Sequence, residues 1–249
     1  LQLQGMTLGG IETFIHIPQL KLAIDVGRGP RSLVGCETIA LTHTHIDHAA
    51  GLPYLVAMRN FLNMRPPTIL APEACVEDLR GMITHWDALQ RQTSKFKIIG
   101  VKPGDRYTVR RGIELVAFRT HHVTPSVGYT VVKHVDKLLP ELRGLPSDRI
   151  VELKARGEPI TQRSERHLVS VTGDTLPRVI DTHPDLMRSE AVILECTFLD
   201  NTKPYEAARK GGHVHIKDLI ERAERITCKR LILSHFSQLY PFDDVPGHL

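Results

Sequence analysis

Five apolar stretches of this sequence run directly into a histidine or a carboxylate. TIALT (38–42) leads into His43, IELVAFRT (113–120) into His121 and His122, and HLVSVTG (167–173) into Asp174. AVIL (191–194) leads into Glu195, and RLILS (230–234) into His235. Short aliphatic and β-branched runs bounded by polar residues read as strands. Reactive groups placed at strand ends act together only if several ends meet. Two sheets packed face to face, with helices outside both, would gather such ends along one edge.

The rest of the chain fits that arrangement. ETFIHI (12–17) and LKLAIDVG (20–27) read as strands joined by a turn at Pro18-Gln19. Apolar spacing predicts a helix from His48 to Asn63, ended by Pro66-Pro67, then a buried strand TILAP (68–72) and an amphipathic helix over 73–90. FKIIGV (96–101), RYTVR (106–110), VGYTVVKHV (127–135) and RLILSHFS (230–237) are further strands. Residues 136–166 are charged and carry Pro140, Pro146 and Pro159, which predicts a short protruding arm or long loop. Helical segments are expected near 176–188 and 213–225, the second opened by His213 after Gly211-Gly212. The expectation is one α/β domain over 1–249, built as a four-layer αββα sandwich. A chain of 249 residues buries a sizeable core without staples.

Composition removes several function classes. No apolar run approaches the roughly 18 residues that a transmembrane helix needs, and no secretory leader is visible. This predicts a protein with no membrane partner, in the cytoplasm or an organelle. The four cysteines form no CxxC pair, which argues against a zinc ribbon or a disulfide framework. A net charge of +4 permits a phosphorylated or nucleic-acid partner without demanding one. Aromatic residues at 5% leave little for a base-stacking surface.

The 14 histidines are the outlying feature, and their placement carries the chemistry. LTHTHIDHAAG (41–51) puts His43, His45, Asp47 and His48 between an apolar strand and a helix. His43 and His45 alternate, so both can point one way. Asp47 and His48, where the chain turns, can reach a second ion, and Asp174 can bridge the two. A lone HxH is usually a surface pair, but four ligand-type residues in this context predict a metal site. Imidazole and carboxylate without thiolate suit two divalent ions, zinc first, with manganese or iron as alternatives. Two such ions about 3.5–4 Å apart activate a water and clamp the attacking and leaving oxygens.

With these residues in view, the sequence resembles the metallo-β-lactamase superfamily of hydrolases. Within it, the sequence is most similar to the ribonuclease Z branch, which trims the 3′ ends of precursor tRNAs. The resemblance is carried by THTHIDHAAGLP (42–53), THHVTPSVGY (120–129), VTGDT (171–175), ECTF (195–198), GGH (211–213) and LILSHFSQLY (231–240). It implies the metallo-β-lactamase fold. It also implies that His43, His45 and His122 bind one metal and that Asp47, His48 and His235 bind the other, with Asp174 bridging. His122 is preferred to His121 because the branch's histidine lies four residues before a Ser/Phe-Gly-Tyr stretch. Ser126 stands at that interval and becomes a candidate substrate contact. The resemblance further assigns His213 as general acid, Glu195 as the group that orients it, and Asp47 as a proton acceptor for the attacking water. It implies a homodimer acting on precursor tRNA. Three departures stand out: Leu239 occupies the place of a family arginine, the arm is short and lacks a Gly-Pro pair, and GMTLGGIETF lacks the usual Leu-Gly-Thr opening.

The function expected is a two-metal hydrolase, a phosphodiesterase of ribonuclease Z type. A thioester or lactone hydrolase of glyoxalase II type is the enzymatic alternative. A catalytically inactive RNA-binding relative is the non-enzymatic one.

Overall fold

Side-chain alternation along the strands divides the apolar residues among three cores. The computed structural model describes residues 1–241 and 245–248. In β3 (Leu22–Ile24), Leu22 and Ile24 enter one core while Ala23 enters another. In β11 (Ala191–Glu195), Ile193 enters the first core while Val192 and Leu194 enter a third. This period-two alternation is what a strand covered on both faces requires.

The first sheet contains β1 (Gln4–Gly9), β2 (Glu12–Ile17), β3, β4 (Thr38–Ala40), β5 (Thr68–Pro72), β6 (Lys97–Val101) and β13 (Phe236–Ser237), in the order β13-β1-β2-β3-β4-β5-β6. The second contains β7 (Arg106–Arg110), β8 (Ile113–Arg119), β9 (Val127–Leu138), β10 (Thr161–Val171), β11 and β12 (Leu231–Ser234), in the order β12-β11-β10-β9-β8-β7. Ile15, Ile24 and Leu70 of the first sheet meet Leu115, Val131 and Val171 of the second in the central core. Helices α1 (Ile46–Ala49), α2 (Leu52–Phe61) and α3 (Val76–Gln90) follow β4 and β5. Leu52, Leu55, Leu79 and Ile83 of α2 and α3 cover the outer face of the first sheet. Helices α5 (Arg178–Thr182), α6 (Tyr205–Lys210) and α7 (Ile216–Ile220) lie on the other side, where Val179 and Leu219 pack on Val192 and Leu194. A last short helix, α8, spans Val245–His248. Three cores separate four layers, so the αββα sandwich expected from the strand order is the observed fold.

Between residues 136 and 166 the structure is more regular than a loop. β9 and β10 continue as an antiparallel ribbon from Tyr129↔Val171 to Thr161↔Leu138, with a register shift between His167 and Val169. The ribbon carries α4 (Ser147–Ala155), which buries no residue.

Three local expectations need correction. RLILSHFS is not one strand: β12 pairs with β11 in the second sheet and β13 with β1 in the first. The switch falls on His235, whose φ of 61° is left-handed. His213 does not open a helix; it lies in a loop after α6, and His215 caps α7 two residues later. The helix expected over 48–63 is two pieces, α1 beginning at Ile46 and α2 at Leu52.

Candidate metal centre

The site lies where the sheets are laced together at their strand ends. Beyond β4, the Thr42 carbonyl accepts a hydrogen bond from Val127 N at 2.9 Å. The Leu41 carbonyl accepts one from Tyr129 Oη at 3.0 Å. Gly173, at φ +60°, packs on the same turn, and a Cβ there would stand 2.5 Å from Thr42. These contacts bring His43 and Asp174 together although they leave different sheets.

Two groups of ligand-type atoms result. His43, His45, His122 and Asp174 form one, and Asp47, His48 and His235 the other, with a further set of Asp174, His213 and His235 overlapping both. In each group the donor atoms lie within 4.8 Å of one another. The Asp174 carboxylate faces both. Its Oδ2 is 3.6 Å from His43 Nε2 and 3.9 Å from His122 Nε2. Its Oδ1 is 3.3 Å from both His48 Nε2 and His235 Nε2. Asp47 Oδ2 accepts from Gly10 N at 2.9 Å and lies 3.3 Å from His235 Nε2.

His122, not His121, joins the cluster. Its Nε2 is 3.2 Å from His45 Nδ1, and its Nδ1 donates to the Gly212 carbonyl at 3.0 Å. His121 turns away to Thr182 Oγ1. The GGH motif has a steric reason: Gly212 has φ +80°, and a Cβ there would lie 2.7 Å from His122 Nδ1.

The residues fit divalent cations. His43 Nε2 and Asp174 Oδ1 are buried without a hydrogen-bond partner, an arrangement that costs about 1–3 kcal/mol per group unless something satisfies it. Burial, aided by the neighbouring His48 and opposed by Asp174, holds His43 well below the ordinary imidazole pKa, so the neutral ring keeps one nitrogen lone pair available. Burial likewise lowers His45 and His122. Burial disfavours charge on His48, but Asp25 and Asp174 outweigh it and push its pKa well above the ordinary value. Surroundings that favour a proton there will favour a metal cation in its place. Burial also opposes ionisation of Asp174, yet His235 and His48 hold its carboxyl well below the usual range. Asp47 shows the same balance: burial opposes its ionisation, and the His235 hydrogen bond, the His48 and His235 charges and the Gly10 N–H together outweigh it.

Behind the ligand atoms is an inner frame. Asp25, buried and at φ +55°, accepts from His48 Nδ1 at 2.8 Å, Thr42 N at 2.7 Å and Thr42 Oγ1 at 2.8 Å. Metal-ligating imidazoles commonly donate their second N–H to a carboxylate in this way. Asp25 is not among the candidates drawn from the sequence, although LAIDVG runs an apolar stretch into a carboxylate as HLVSVTG and AVIL do.

At the rim, His213 Nδ1 lies 3.1 Å from Glu195 Oε1 and 4.0 Å from Asp174 Oδ2. Glu195 is fully buried and also accepts from Thr175 N, Thr197 N and Val214 N at 2.9–3.2 Å. Burial alone would lower the His213 pKa; the Glu195 hydrogen bond and charge reverse that and raise it. Ser126 stands outside the cluster. Its Oγ accepts from Thr120 Oγ1 at 2.7 Å, and it lines a shallow cleft of about 470 Å³ shared with Arg119 and His122.

A family model described as anti-Pycsar protein Apyc1 matches residues 25–138. Over 98% of its length the chain is 34% identical to tRNase Z TRZ1 of Arabidopsis thaliana, and it covers 88% of that protein. The chain belongs to the ribonuclease Z family. The chloroplastic tRNase Z TRZ2 of the same plant is 33% identical over 98% of this chain and 69% of the relative. Human tRNase Z, short form, matches with a TM-score of 0.64 at 20% identity, over 96% of this chain and 93% of that one. The metallo-β-lactamase fold protein YhfI of Bacillus subtilis matches with a TM-score of 0.64 at 15% identity, over 98% and 89% of the two chains. The two structures share the fold. As a ribonuclease Z, the protein is a metal-dependent hydrolase.

Proposed function

We propose that this protein is a two-metal phosphodiesterase that cuts precursor tRNA during 3′-end processing. The observation carrying the proposal is the juxtaposition of a seven-residue His/Asp cluster with a buried-carboxylate–histidine pair, His213 and Glu195, at its rim. His43, His45 and His122 would hold one ion and Asp47, His48 and His235 the other, with the Asp174 carboxylate facing both groups. Zinc is the preferred metal, with manganese or iron able to use the same donors. When bound, the ions lower the pKa of a water and offset charge on the phosphodiester oxygens.

The chain's own residues supply the proton traffic. Asp47 Oδ2 stands beside the ligand atoms, where it can take a proton from the attacking water. His213 gives a proton to the departing oxygen. Its Nδ1 is engaged by Glu195 and Thr197, which leaves Nε2 for that transfer. The same engagement argues for an acid over a third metal ligand, although His213 also lies within ligand distance of Asp174 and His235. A thioester hydrolase of glyoxalase II type has no use for this pair. Ser126 and Arg119 face the cleft beside His122 and would contact the RNA strand. The ribbon and α4 would approach the tRNA body as a single-domain extension, from a homodimer in the cytoplasm or an organelle. No helix among the described residues is long and apolar enough to cross a membrane.

The test is cleavage of a precursor tRNA with added zinc or manganese, beside bis-p-nitrophenyl phosphate. A single cut at the 3′ side is expected. Hydrolysis of the small diester with the precursor left intact would reject tRNA as substrate. Failure on both would reject a phosphodiesterase.

A further inference from the structure

Thr197 belongs to neither ligand group, yet its hydroxyl touches both working parts of the site. Its Oγ1 donates to Glu195 Oε2 at 2.7 Å. The same oxygen lies 3.0 Å from His235 Nδ1 and 3.2 Å from His213 Nδ1. A threonine hydroxyl has one proton and two lone pairs. With the proton committed to a carboxylate, both imidazole contacts must run from ring N–H to oxygen.

We infer that Thr197 is a positioning residue whose single oxygen fixes the tautomer and orientation of His235 and His213 together. On His235 the proton sits at Nδ1, so the Nε2 lone pair faces Asp47 Oδ2 and Asp174 Oδ1, each 3.3 Å away. On His213 the Nδ1 proton is shared between Thr197 and Glu195 Oε1. The hydroxyl cannot turn to offer its proton elsewhere, because Glu195 is buried and held by three backbone amides. Nor can Thr197 drift from His235. The Thr197 carbonyl accepts from Ser237 N at 2.9 Å, and His235 N donates to Thr7 Oγ1 at 2.8 Å. One side chain therefore couples cation binding to proton donation. The His213 half rests on the proposed acid role; the His235 half stands without it.

Thr197→Val keeps the shape and removes the oxygen, while Thr197→Ser keeps the oxygen and removes the methyl. Zinc affinity is measured by competition with a chromophoric chelator, and turnover with bis-p-nitrophenyl phosphate at saturating zinc, each also in a His213→Ala background. Thr197→Val should weaken one of two zinc ions by about 10–100-fold, the usual effect of losing a ligand's outer partner. Thr197→Ser should stay near wild type. At saturating zinc, Thr197→Val should cost less turnover in the His213→Ala background than alone. Unchanged zinc affinity in Thr197→Val, or a Thr197→Ser variant as impaired as the valine, overturns the inference. Equal turnover losses in both backgrounds overturn its His213 half. If His213→Ala alone keeps its rate, the acid assignment falls, and the zinc measurement still decides the His235 half.

Discussion

His213 and His48 are each held by a buried carboxylate, but the two carboxylates do different work. Glu195 raises the proton affinity of a ring at the rim, where a proton can leave. His213→Ala should therefore lower diester turnover by about 10²–10⁴-fold, the range typical of general acid loss, with zinc content by elemental analysis unchanged. Asp25 instead anchors a ring in the interior and simultaneously caps the Thr42 amide. Asp25→Ala should weaken zinc binding by about 10–100-fold, seen by chelator competition, and lower stability as well, because buried donors lose their acceptor. The sequence made the direct ligand candidates visible, since HxHxDH is a local pattern. Asp25 and Thr197 were hidden because their partners lie in distant strands and loops: Asp25 reaches His48 across 23 positions, and Thr197 reaches His235 across 38.

At the scale of elements, central strands such as β4, β5 and β11 could be read because they are buried on both faces and spell a near-continuous apolar run. The misses have physical causes. β1 reads GMTLG, half exposed, with no clear alternation to mark it. LILSHFS keeps an apolar rhythm through His235, and no rhythm records that one residue adopts a left-handed φ and changes sheets. His213 looked like a helix start because glycines precede it, whereas Gly212 serves close approach to His122. The arm was legible only as a charged interruption; the strand pairing that organises it comes from β9 and β10 growing outward from the core. It carries seven basic against six acidic residues over 136–166, so any hold on RNA depends on placement and not on net charge. α4 buries nothing, so replacing residues 140–158 with a Gly-Ser turn should leave the melting temperature nearly unchanged. If the ribbon grips substrate as proposed, the same variant should show a raised KM for precursor tRNA.

For the molecule as a whole, the site is a seam between two sheets, so whatever occupies it joins them. Zinc at about 100 times its dissociation constant stabilises a folded state by about 2.7 kcal/mol. For a domain of this size that is about 5–10 °C in melting temperature, measurable by calorimetry with and without chelator. The seam also has a long reach in sequence: His235 N bonds to Thr7 Oγ1 across 228 positions, and β13 completes the first sheet beside β1. During translation, His43, His45, His122 and Asp174 emerge early, but the strand switch that delivers His235 comes much later. A nascent chain therefore lacks the one residue that completes the second ligand group, and with it the means of cutting the RNAs crowded around the ribosome. A fragment ended at Ser234 should hydrolyse no diester, even with zinc in excess.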